Sequence, residues 1–145
     1  MPTNYILLGI FTISLSWMVS ASVMEVQEPV IVFEAAALTL AIVTAITVFA
    51  HTTKNDFTIF GPVMMIVFFI LLTVQLFAIM FGPRLNFVYT AIAAFFSSFY
   101  LLYDTQLILS GTSDAHRQYK IDEESYILAA MILYLDIIQL FLYIL

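Results

Sequence analysis

Apolar residues in this chain neither alternate nor keep to one helical face; they run in long blocks broken by short polar clusters. A helix that crosses the hydrocarbon core of a bilayer needs about 20 mostly apolar residues. Five blocks meet that length: Tyr5 to Met24, Val30 to Ala50, Ile59 to Phe81, Leu85 to Ser110 and Ser125 to Leu145. Stretches such as Val63 to Leu72 are apolar on every side, whereas strands of a membrane barrel alternate apolar and polar residues in segments of about ten. The pattern predicts an all-α fold, a polytopic transmembrane helix bundle of five spans, forming a single domain over residues 1–145.

The polar clusters predict the connections. Pro29 suits the first turn of the second span, where its missing N–H is no loss. Gly82, Pro83 and Arg84 form a tight break, because proline cannot continue the preceding helix. Gly111 to Glu124 is the longest expected loop, and Asp122 and Ser125 read as the capped start of the last span, with Glu123 and Glu124 in its favourable first turn. Met1 to Asn4 carries no positive charge and the first apolar run is long for a signal peptide, so a retained helix is expected there. The chain enters a span almost at Met1 and stops inside another at Leu145, as a portion of a longer protein would.

Composition sharpens this picture. Hydrophobic residues make up 63% of the chain and charged ones only 10%, against about a quarter in water-soluble domains. With four Lys plus Arg and a net charge of -6, no basic surface exists to neutralise phosphates, so nucleic acid is excluded as a partner and the lipid bilayer takes its place. The absence of cysteine removes disulfides, thiolate catalysis and cysteine metal sites. His51 and His116 lie in connections without a partner at ligand spacing, so no resident metal or cofactor is expected. Lys54, Arg117 and Lys120 fall on one side of the bundle and Arg84 alone on the other, which places the N-terminus and the long loop in the cytosol.

Three carboxyls sit within the apolar blocks. Glu34 lies one turn inside its span, where it can reach the interface. Asp104 and Asp136 are too short to do so, and a charged, unpaired carboxyl in hydrocarbon costs several kcal/mol. Helical spacing gives each a polar stripe: Ser97 and Tyr100, with Leu101, share a face with Asp104, while Gln139 and Tyr143 share one with Asp136. Such stripes face a bundle interior or a water-filled path. Asp104 lies six residues from the end of its block, about 9 Å, and Asp136 eleven residues into its own, about 16 Å. Pairing therefore requires tilt or a later start of the last span. Paired carboxyls would share a proton and titrate as a unit, coupling pH to helix packing and cation affinity. A static protonated pair that only joins the helices is the alternative. Ala37, Ala41 and Ala45 recur every four residues, as do Ala94 and Ser98, and are expected at close helix contacts.

The stretch Thr53-Lys54-Asn55-Asp56-Phe57-Thr58 resembles the loop motif of the transmembrane Bax-inhibitor-motif family, in its Lifeguard branch. So does Tyr103-Asp104-Thr105-Gln106-Leu107-Ile108. Glu124-Ser125-Tyr126-Ile127, leading to Leu133-Tyr134-Leu135-Asp136-Ile137-Ile138, is similar to the family's ending. The resemblance implies a seven-helix fold of which this chain matches the third to seventh helices, with Asp104 and Asp136 as paired pH-sensing aspartates. It implies a calcium leak from internal stores, restraint of cell death, residence in endoplasmic reticulum or Golgi, and partners among cell-death regulatory membrane proteins. On that reading calcium is a transported ion held transiently by Asp104 and Asp136. The two carboxyls with Gln139, Tyr100 and water would make an incomplete cage, since calcium takes six to eight oxygens. Two other readings stand beside it. One is a non-conducting membrane module that regulates cell death through partner helices. The other is an intramembrane aspartyl protease, which the Tyr103-Asp104 pair resembles, although Asp136 follows Tyr134-Leu135, not a glycine, and no Pro-Ala-Leu comes after it.

Overall fold

A bilayer offers no water to the backbone, so each span must satisfy its own N–H and C=O groups, and these apolar blocks form helices. The computed structural model describes residues 2–81, 87–113 and 126–145. Its helices are α1 (Pro2–Glu25), α2 (Pro29–Thr52), α3 (Gly61–Phe81), α4 (Phe87–Ser113) and α5 (Tyr126–Ile144), with a 3-10 turn, Phe57–Phe60, ahead of α3. All five helices are long and apolar enough to cross a membrane, and no strand occurs among the described residues.

The boundaries differ from expectation at several places, and α2 runs on to Thr52, so that His51 lies in the helix and not in the connection. Pro2 and Pro29 each open a helix, the position where proline loses nothing, so α1 starts earlier than Tyr5. The third span is preceded by a capped turn: Asp56 Oδ1 accepts from the Thr58 N–H at 3.0 Å and from its hydroxyl, which delays the α-helix to Gly61. α4 continues to Ser113, so Gly111, Thr112 and Ser113 belong to the helix and not to the long loop. The Gly82-Pro83-Arg84 break and the loop from Asp114 through Ser125, with the expected cap at Asp122 and Ser125, lie outside the described residues, as do Arg84, Arg117 and Lys120.

α4 is the hub. It packs most extensively on α5 and α2 and also meets α3, while α5 reaches α2 and α1. α1 and α5 run parallel, because Tyr5 hydrogen-bonds Tyr126 and Phe11 stacks edge-on against Tyr134 at 6.4 Å between ring centroids. The buried face of α4 carries Ala93, Ser97, Leu101 and Thr105, four residues apart in turn. Ile127, Asp136 and Leu140 of α5 and Ala35, Thr39 and Ala50 of α2 complete the interior. Small residues thus let these helices approach, but not those expected: Ala37, Ala41 and Ala45 are exposed, and Ala94 and Ser98 only half-buried. A four-residue repeat drifts around a helix of 3.6 residues per turn, so spacing alone does not say which of several small-residue stripes faces the neighbour.

Hydroxyls in the spans turn back on their own helices. Thr39 Oγ1 donates to the Ala35 carbonyl at 2.7 Å and Thr105 Oγ1 to that of Leu101 at 2.6 Å, which keeps polar atoms satisfied without a neighbour. The outer surface is apolar, with Trp17, Phe33 and Ile13 among its most exposed side chains, as lipid contact allows.

Leu101 and Leu140 are almost wholly enclosed. Replacing Leu101 by alanine is expected to cost roughly 1–3 kcal/mol. This falls below the range for water-soluble cores, because in lipid the lost packing remains while the transfer from water does not. Reversible unfolding in mixed micelles measures it; a loss no greater than that for exposed Leu128→Ala would contradict this packing.

Candidate functional site

Asp104 lies nine residues before the end of α4 and Asp136 ten residues after the start of α5. The two are therefore level to within about one residue's rise. The depth mismatch read from the sequence came from ending the fourth span at Ser110 and starting the last at Ser125; three further residues on α4, with the start of α5 at Tyr126, reduce it from five residues to one. The antiparallel helices bring the side chains together, and the two carboxyls lie within hydrogen-bonding reach of each other. Neither ionised carboxylate can donate, so a bond between them can form only while one of the pair carries a proton. Asp136 is 9% exposed, and its Oδ2 is buried without a hydrogen bond. Asp104 is half-buried.

The expected polar stripes divide. Ser97 is buried beside the α4 core, and Tyr100 lies within electrostatic reach of both carboxyls. Its hydroxyl, however, donates to the Met64 carbonyl of α3, and its ring meets Phe68 edge-on at 6.5 Å. Gln139 is exposed and donates from Nε2 to the Tyr143 hydroxyl at 3.2 Å, and Tyr143 lies beside Tyr89 near the start of α4. Gln139 and Tyr143 thus belong to a second polar cluster, with Tyr89 as a member that spacing on α5 alone does not reveal. Glu34 is exposed near the start of α2.

A contact unanticipated from sequence spacing lies two residues past Asp104. Gln106 is buried, and its Oε1 accepts from the Phe57 N–H at 2.8 Å while its Nε2 donates to the Asn55 carbonyl at 3.0 Å. Nearby, a Cβ placed on Gly61 would lie 2.9 Å from the Tyr103 hydroxyl, so α3 starts flush against α4. Two of the quoted sequence motifs, Thr53 to Thr58 and Tyr103 to Ile108, are therefore one structural unit.

Chemically, the carboxyl pair can hold a proton, and once deprotonated it can attract a cation with up to four oxygens, fewer than calcium's full shell. Among the described residues no group of three His, Asp or Glu comes together to hold a metal. A cavity of about 650 Å³ lies apart from the pair, between α1, α2 and α5. Its walls are mainly apolar, and the hydroxyls of Ser16 and Thr39 in them are turned to backbone carbonyls.

Replacing Asp136 by leucine strands Asp104 without its partner, and a stability loss of about 1–3 kcal/mol is expected. Asp136→Asn retains an N–H that can donate to Asp104 and should lose less. Denaturation of both variants in micelles checks the order; a leucine variant as stable as the asparagine one would mean the carboxyls do not support each other.

The comparisons agree with the motif resemblance. The family model described as "Inhibitor of apoptosis-promoting Bax1" matches residues 1–145. The chain is 38% identical to the "BI1-like protein" of Arabidopsis thaliana, covering 99% of this chain and 54% of that protein. It is 36% identical to "Protein LIFEGUARD 4" of the same plant, over 97% and 55% of the two chains. With "Protein lifeguard 3" of Mus musculus the identity is 32%, over 99% and 46%. The chain thus spans about half the length of these relatives. No solved structure matches it. With its whole length matched by the family model and Lifeguard proteins among its relatives, this multi-pass helical membrane chain belongs to the Bax inhibitor motif family, a family linked to the regulation of apoptosis.

Proposed function

We propose that this chain forms part of a pH-sensitive calcium leak path in an intracellular membrane, endoplasmic reticulum or Golgi, and so restrains apoptosis. The observation that carries the reading is the close approach of the Asp104 and Asp136 carboxyls inside the α4–α5 contact, with Asp136 buried. With the shared proton in place, the pair joins the two helices and presents no net double charge to the path. Removing the proton leaves two like charges side by side in a poorly hydrated site, where they repel each other. The helices then part and the same oxygens attract a divalent cation. An incomplete ligand set suits passage, because a conducting site must release the ion it binds. Calcium is cargo here, and the reading needs no cofactor and no enzymatic step. On this reading the N-terminus faces the cytosol, with Lys54 on the same side; the excess of Lys and Arg there supports it. Cell-death regulatory membrane proteins are the partners the reading implies.

Flux of calcium into liposomes holding the purified 145-residue chain tests this. The expected result is a leak that rises as pH rises and loses that dependence in Asp104→Asn and in Asp136→Asn. An unchanged pH profile in both variants would overturn the gate. No flux from correctly inserted chain would favour the non-conducting membrane module, and cleavage of a membrane peptide abolished by either substitution would favour the protease.

A further inference from the structure

Gln106 binds the connection between α2 and α3 as a neighbouring strand would. Its carboxamide accepts from one backbone N–H, that of Phe57, and donates to a carbonyl two residues away, that of Asn55. The partners leave the amide one orientation, since an N–H can meet only Oε1 and a carbonyl only Nε2. The connection itself is anchored to α2. The Thr53 N–H donates to the Phe49 carbonyl at 2.9 Å, and the Phe57 ring packs on those of Phe49 and Phe60 at 6.0 and 6.4 Å. Tyr100 and Tyr103, three residues apart on α4 and ending three residues before Gln106, hold the start of α3 through Met64 and Gly61. Turning α4 by one residue, or sliding it by one residue's rise, would break both Gln106 bonds.

We infer that Gln106 is a positioning residue for the carboxyl pair: by clamping α4 to the Asn55–Phe57 connection, it sets the rotation and depth at which Asp104 meets Asp136. This inference rests on the proposed function only for its consequence on flux; its geometric content stands on the pair alone. The titratable groups on the packed elements are few. α2 carries Glu34 and His51, both exposed, and the connection carries Lys54 and Asp56. α3 has none, and α1 has Tyr5 and Glu25. α5 adds Tyr126, Tyr134 and Tyr143, and on α4 itself Tyr89, Tyr100 and Tyr103 accompany Asp104.

The test compares Gln106→Leu, similar in size but unable to hydrogen-bond, and Gln106→Glu, which can still accept from Phe57 but when ionised cannot donate to Asn55. The infrared carboxylic-acid band of the pair, isolated as the difference between a chain and its Asp136→Asn derivative in liposomes, should move toward the frequency of a non-hydrogen-bonded acid in Gln106→Leu. Gln106→Glu should fall between, and keeps the test open if the leucine variant does not fold. In flux, Gln106→Leu should change the calcium leak about tenfold at a fixed pH, the worth of one to two hydrogen bonds. The same substitution should have no effect in the Asp104→Asn, Asp136→Asn background. An unmoved band in both variants, or an equal change of flux in both backgrounds, would overturn the inference and leave Gln106 a purely structural clamp. A band that moves in a chain that conducts no calcium would support the positioning role while refuting the leak.

Discussion

Inside hydrocarbon every polar group must find its partner within the protein, and this constraint organises the whole bundle. Threonine and serine hydroxyls meet it locally by donating to carbonyls one turn back. Tyrosines meet it at a distance, as Tyr100 does at Met64 and Tyr5 at Tyr126. Gln106 meets it by bonding two backbone groups of the connection between α2 and α3. Asp104 and Asp136 can meet it only through each other, and a bond between them would require a shared proton.

α4 carries both kinds of contact at once. Through Tyr100, Tyr103 and Gln106 it is held by α3 and the connection before it, and through Asp104 it is held by α5. The first set is neutral and fixed, whereas the second is titratable. In the proposed function, a helix clamped on one side and conditionally bound on the other responds to pH at the α4–α5 seam without losing the fold. Membership of a family linked to apoptosis gives that seam a physiological setting, and the leak is the reading that connects the two.

The helical architecture was legible from block length alone, because five apolar runs of spanning length admit little else. Asp104 and Asp136 were legible as costly residues, yet their depths read as mismatched. Gly111, Thr112 and Ser113 have the composition of a loop but extend α4 by nearly a turn. The stripe around Asp136 was only half legible. Helical spacing puts Gln139 near it, but the helix turns Gln139 outward to Tyr143, and which edge of a stripe is buried depends on where α4 crosses. The alanine repeat on α2 failed for the same reason, with Ala35 and Thr39 taking the contact in place of Ala37 and Ala41. Gln106 was invisible as a clamp, because its partners lie about fifty positions earlier in the chain and are backbone atoms, which leave no mark in residue type.

The central claim is that Asp104 and Asp136 share one proton inside the bundle. Solid-state NMR of the chain labelled with carbon-13 at its aspartate carboxyls, in lipid bilayers at mildly acidic pH, addresses it directly. The account predicts a through-space correlation between the two carboxyl carbons, with at least one in the protonated form, and a joint change in both signals as the pH is raised. Two carboxylate signals without correlation, titrating independently of each other, would contradict it.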